Sequence, residues 1–194
     1  EEILDRYQPK NLFERLGWLF ADYWVEVAAP IEEREERLAQ LRAAAVAEIL
    51  AEGGDQAILA FADQVRRPDT LSYGLTPCLA EMEDFERFLR LSLGRGGDPQ
   101  LSFSQVLSGQ AEHRFGPKWF ATVGALKNDR LLQLSDDVLV RMMLSWSDQR
   151  GVWDFVDALG ASISEKYWSQ KRSFSFSGET SDLLRGVEAY LKVN

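Results

Sequence analysis

Few residues of this chain are of types that do chemistry, and their spacing suits it poorly. His113 is the only histidine and Cys78 the only cysteine, so neither a histidine pair at metal spacing nor a multi-cysteine zinc site can form. His113 lies seven residues after Val106 and near the same helix face, which reads as a packed or rim histidine before it reads as a general base, while Glu112 beside it is expected to point elsewhere. Cys78 follows Pro77 at an expected helix start, where a thiol pKa can fall, but a small buried filler is the commoner role. No Gly-x-Ser-x-Gly elbow occurs. Asp136 and Asp137 with Arg141 could serve a hydrolase or nucleotide-handling site; the same spacing also gives helix capping and an i, i+4 ion pair. Gly94-Arg95-Gly96-Gly97-Asp98 has the glycines of a phosphate loop but neither the lysine nor the preceding strand of a Walker loop, so a helix connection is expected there. No catalytic residue, metal site or cofactor is assigned.

Lys166, Lys171 and Arg172, with Tyr167, Trp168, Phe174 and Phe176, come nearest to a basic aromatic patch for single-stranded nucleic acid. The charge balance argues against it. The net charge is -9, and residues 1–97 carry 11 basic and 19 acidic side chains against 11 and 12 in residues 98–194. A nucleic-acid surface needs the opposite sign. An acidic half suits a solvated face or a basic partner.

The elements that must position these residues read as amphipathic helices joined by short polar turns. Asn11 and Glu14 have capping-box spacing, and Leu12, Phe13, Leu16, Leu19, Phe20, Tyr23, Trp24 and Val27 recur every three or four residues, so one helix is expected up to Ala28-Ala29-Pro30. Ile31 to Glu52 is the longest predicted helix, about 33 Å at the standard rise, and Gly53-Gly54 should stop it. A second segment carries Ile58, Leu59, Phe61 and Val65 up to Pro68, and Leu71, Tyr73 and Leu75 suggest a short return helix. Further helices are expected around Met82 to Leu89, from Ser102 to Phe115, and after Gly116-Pro117. Asp136 to Leu159 reads as a helical hairpin about the turn Ser147 to Gly151. Ser162 and Glu165 have capping-box spacing for the next helix. Ser173 to Gly178 alternates like a strand but has no partner, so it reads as an extended connection, and a last helix runs from about Ser181 to Val193. Sliding the chain on itself by 81 residues superposes Asp55 on Asp136, Phe61 on Met142 and Leu71 on Val152, a faint sign of an array.

Between Leu139 and Leu184, the order Leu144-Ser145-Trp146, Val152-Trp153-Asp154-Phe155-Val156, Leu159-Gly160, Tyr167-Trp168 and Phe176-Ser177-Gly178-Glu179 resembles helical-repeat stretches of very large multidomain bacterial proteins. Those are similar to the HEAT-like or tetratricopeptide-like regions that accompany signalling ATPases and defence-associated effector domains. A 34-residue tetratricopeptide signature is absent. The resemblance implies an architecture and a partner-binding role, and no functional residue.

The expectation is therefore an all-α fold of stacked antiparallel helical hairpins, an α-solenoid-like or layered array, as one domain over residues 1–194 cut from a longer polypeptide. Its role is that of a scaffold for a protein partner or for flanking domains, with Trp18, Tyr23, Trp24, Tyr167 and Trp168 as the candidate contact residues. No run of eighteen apolar residues occurs and the start Glu1-Glu2-Ile3-Leu4-Asp5 lacks the character of a signal peptide, so no membrane association and a cytoplasmic location are expected.

Overall fold

A computed structural model of the chain describes residues 11–172 and 180–193. Among them every regular element is helical, as the apolar periodicity requires. The described residues divide into two compact units: those up to Ala80 together with Gly97–Phe103, and Glu81–Gly96 together with those from Ser104 onward. The connection expected at Ser173 to Gly178, with Phe174 and Phe176, lies outside the described residues.

The first unit opens with helix α1, Leu12–Leu16. Asn11 caps it, accepting from the Glu14 N–H at 2.9 Å through Oδ1 and donating to Glu14 Oε1 at 3.0 Å through Nδ2. The helix expected to reach Val27 instead stops at Leu16, tightens into a 3-10 turn at Gly17–Phe20 and unwinds. The cause is tertiary. Arg42, buried on helix α2 (Arg34–Ala62), donates Nε to the Leu19 carbonyl at 2.9 Å and Nη2 to those of Asp22 and Tyr23 at 2.7 and 3.0 Å. The Arg67 N–H takes the Phe20 carbonyl at 3.1 Å. In a continuing helix these four carbonyls would bond N–H groups four residues on; donors from elsewhere in the unit have claimed them.

Helix α2 breaks at Gly54, whose φ of 62° and ψ of -157° interrupt it where Gly53-Gly54 predicts a stop. Helix α3, Pro68–Leu75, packs closely along α2. Gly74 permits that approach, since a Cβ there would lie 3.0 Å from the Arg42 carbonyl oxygen. Phe20, Val46, Ile49, Ile58, Leu71 and Leu75 fill the core of this unit. Gln100 is buried with them, donating Nε2 to the Leu59 carbonyl at 2.8 Å and to Asp63 Oδ1 at 2.6 Å.

The second unit contains α4 (Met82–Arg95), most of α5 (Asp98–Phe115), α6 (Pro117–Lys127), α7 (Asp136–Met143), α8 (Arg150–Ala158), α9 (Ala161–Gln170) and α10 (Thr180–Val193). Along α5 the residues Ser104, Ser108 and Glu112 are buried at four-residue intervals, and each has a partner. The Ser104 and Ser92 hydroxyls meet at 2.6 Å. Ser108 Oγ accepts from the indole N–H groups of Trp119 and Trp146 at 3.2 and 3.0 Å. Glu112 accepts from the Ser147 N–H at 3.1 Å and the Ser147 hydroxyl at 2.7 Å. The expected orientation at the end of α5 is thus reversed: Glu112 is inside and His113 exposed, because Ser147 offers the carboxylate two donors that a buried histidine would not use.

Helix α7 packs most extensively on α9, and α9 also carries α8 and α10. The expected pair Asp136 to Leu159 therefore forms as two helices whose shared neighbour is the third. Helix α9 starts at Ala161, with Gly160 at φ 116° as its N-cap, so Ser162 lies within the helix rather than capping it. Its hydroxyl donates instead to Asp136 Oδ2 at 3.0 Å. At Gly109 of α5 a Cβ would lie 2.9 Å from both the Ser145 carbonyl and hydroxyl oxygens. Gly109→Ala is expected to lower stability by about 1–3 kcal/mol in denaturant unfolding. Gly94→Ala, whose Cβ would meet nothing closer than 3.8 Å, should leave stability unchanged or slightly raised.

Candidate functional site

Because the carbonyls of residues 19, 20, 22 and 23 are drawn inward, the side chains of Tyr23 and Trp24 turn outward. They are 44% and 60% exposed. Their rings meet edge to face, with centroids 5.6 Å apart and planes at 80°, which makes a corner. Tyr73 of α3, 44% exposed, supplies a third wall, and Glu35, Leu38 and Ala39 of α2 line the rest of a pocket of about 220 Å³. A shallower depression of about 480 Å³ adjoins it, sharing Trp24 and Glu35 and reaching Glu26, Ile31 and Glu32. Ile31 is 77% exposed at that lip.

The charges around the pocket differ in how they are held. Arg42 also lines it, buried and engaged with carbonyls as described; burial lowers its pKa, against the nearby Tyr23 and Asp69, and the group stays charged. Arg67 grips Asp69 with both edges of its fork, Nε to Oδ1 at 2.9 Å and Nη2 to Oδ2 at 2.6 Å, and lies 3.9 Å from Asp22. Burial works against the Asp69 carboxylate, but the Arg67 hydrogen bond and charge prevail and hold its pKa below the usual carboxylate range. Burial raises the Tyr73 phenol, with Tyr23 and Asp69 adding to it. Glu26, Glu32 and Glu35 form no ion pair among the described residues.

Of the five aromatic candidates, the fold brings Tyr23 and Trp24 together. Trp18 is 48% exposed on the 3-10 turn and does not line the pocket. Tyr167 and Trp168 are core residues of the second unit: Trp168 packs on Trp153 at 5.6 Å and on Tyr167 at 5.2 Å. Tyr73 was missed, although its signal is present. Leu71 and Leu75 are four apart and share the inward face of α3, which leaves Tyr73, midway between them, on the opposite side.

The remaining chemical candidates are structurally engaged. Lys171 Nζ lies 2.5 Å from Asp148 Oδ1, with both side chains only 6% exposed, and 5.6 Å from the Tyr167 ring centroid. Burial first, then the Asp148 carboxylate, push the Tyr167 phenol well above the usual tyrosine range. Lys166 Nζ donates to Asp137 Oδ1 at 2.8 Å, while Asp136 takes the Ser162 hydroxyl, so these two aspartates brace α7 against α9. Cys78 is exposed in a 3-10 turn rather than a buried filler, and partial desolvation of its sulfur pushes the thiol pKa up rather than down. Within Gly94 to Asp98, only Gly96 and Gly97, at φ 73° and 88°, lie between α4 and α5 and join them.

Among the described residues no group of three or more His, Cys, Asp or Glu is placed to hold a metal ion, and no helix is long and apolar enough to cross a membrane. Comparison of the chain with protein families, curated proteins and solved structures gave no match. The class defined by the described residues is thus an all-α protein whose first unit carries an aromatic-walled, acid-lipped groove.

Two outcomes separate groove from scaffold. Trp24→Ala and Tyr73→Ala should each change unfolding free energy by no more than about 0.5 kcal/mol, whereas Arg42→Leu, which strands three carbonyls, should lower it by about 3 kcal/mol or more, both read by urea titration. In alkali the unfolded Tyr167 phenol ionises from about pH 10 while the buried one does not. A raised native pKa contributes stability below the unfolded value that is lost as pH rises towards the native one, so Tyr167→Phe should flatten the fall in stability above about pH 10.

Proposed function

We propose that the chain is a helical recognition scaffold that holds a basic, partly apolar segment of a protein partner in the groove of its first unit. The observation that supports this most is the convergence of Tyr23, Trp24 and Tyr73 on one concavity beside carboxylates that have no internal cation. Tyr and Trp are the residue types that dominate binding energy at interfaces, since they bury much area with few rotatable bonds. Half-exposed in a groove, they add little to the core and much to a contact. Glu26, Glu32 and Glu35 set the sign of the partner, because unlike charges steer association and reject acidic competitors. An all-helical setting accords with the resemblance to helical-repeat regions of large bacterial multidomain proteins. A cytoplasmic site of action belongs to the same reading.

Selection of a random-peptide display library against the full chain tests this. The enriched peptides should carry Lys or Arg beside an apolar residue, bind more weakly as salt rises, and lose at least about tenfold in affinity against Trp24→Ala combined with Tyr73→Ala. Peptides without basic residues, or peptides indifferent to the double substitution, would overturn it.

A further inference from the structure

The groove is specific enough to name the group it takes. We infer that the pocket between Tyr23, Trp24 and Tyr73 is a cage for one alkylammonium group, the side-chain head of a lysine, free or methylated, in the bound segment. This rests on the reading of the groove as a peptide site. Three observations carry it.

The first is ring placement. A cation is attracted to the faces of Trp and Tyr within about 6 Å of the ring centroid. Tyr23 and Trp24 at 80° to one another, with centroids 5.6 Å apart, form two walls of a corner, and Tyr73 faces the same space from α3.

The second is charge. Glu35 is the carboxylate that lines the pocket, and it has no ion pair among the described residues. Of the basic groups nearby, Arg67 is paired with Asp69 and lies 3.9 Å from Asp22, whereas Arg42, bonded to the backbone carbonyls of Leu19, Asp22 and Tyr23, keeps its charge at the pocket. With Glu26 and Glu32 beside it, three carboxylates face two guanidinium groups, those of Arg42 and of Arg34, the latter bonded at 3.1 Å to the Ala29 carbonyl, so the mouth is net acidic by one charge.

The third is size. About 220 Å³ falls below the 300–1,000 Å³ typical of sites that enclose a whole small-molecule ligand. It suits one side-chain head, whose methylene stem would lie on Leu38 and Ala39.

The test follows the indole N–H signal of Trp24 by NMR on the full chain. The probes are Nα-acetyl-lysine methylamide, its Nε-trimethyl form, the arginine counterpart and neutral Nα-acetyl-norleucine methylamide, titrated separately. Both lysine compounds should give a saturable shift that norleucine does not, and the tighter of the two identifies the methylation state of the natural ligand. Glu35→Gln and Tyr73→Ala should each weaken that binding at least fivefold. The cage is overturned if norleucine matches lysine, if arginine binds more tightly than both lysine forms, if either substitution has no effect, or if no probe shifts Trp24. In that last case, basic display peptides that still bind through the groove would leave the scaffold reading standing, whereas their failure would remove both.

Discussion

A single buried guanidinium determines the form of the first unit. Withdrawing a charge such as that of Arg42 from water costs several kcal/mol, and the structure offsets this with three hydrogen bonds to carbonyls within residues 19–23. Bonds from a charged donor contribute about 1.5–3 kcal/mol each, enough to outweigh the weak helix propensity of a segment containing Gly17 and several aromatics. The segment therefore unwinds. Leu19 and Phe20 stay in the core, the carbonyls of the segment turn inward, and the exposed corner of Tyr23 and Trp24 is the geometric consequence of where Arg42 points. Gly74 completes the arrangement by letting α3 approach α2 closely at Arg42 itself.

The second unit solves a different problem, that of burying two indole N–H groups and a carboxylate without leaving them unsatisfied. One hydroxyl, that of Ser108, serves both Trp119 and Trp146. Held so, Trp146 stacks nearly parallel to Phe120, with centroids 5.3 Å apart and planes at 10°, and Phe155 closes the stack. The turn after α7 is fastened at three places: Ser145 to the Gln105 carbonyl at 2.7 Å, Ser147 to Glu112, and Asp148 to Lys171. Such pairs contribute little net energy against well-packed apolar substitutes, but breaking one leaves a buried group unpartnered. They fix which arrangement of helices forms more than how stable it is.

The division between what was legible in the sequence and what was not follows from this. Backbone punctuation was legible. Gly54, Gly96, Gly97 and Gly116 all adopt positive φ at the breaks where Gly and Pro clusters predict them, because that conformation disfavours other residues whatever the surroundings. The length of α1 was not legible, since the donors that unwind the chain after Leu16 lie on other elements. Nor was the buried face of α5: a search for apolar periodicity cannot see Ser104, Ser108 and Glu112 as inward-facing, because what buries them is a partner brought up by tertiary packing. At the groove, aromatic content pointed to Tyr23 and Trp24, while Tyr73 was absorbed into an apolar pattern whose spacing, i, i+2, i+4, no single helix face can hold.

The same residue type thus carries opposite meanings in the two units. Trp119, Trp146, Trp153 and Trp168 are buried, so their presence is explained by the space they fill. Trp24 fills none, and its exposure gains meaning only from its neighbours. Charge interactions are screened over about 8 Å at physiological ionic strength. The large acidic excess of residues 1–97 therefore does little to hold a docked group, and the carboxylates that act on it are those within reach of the rings, Glu35 in the pocket and Glu26 and Glu32 at its lip. Aromatic faces attract a cation but tolerate an apolar chain equally well; in the proposed reading, Glu35 is the group that turns a greasy corner into one that selects by charge.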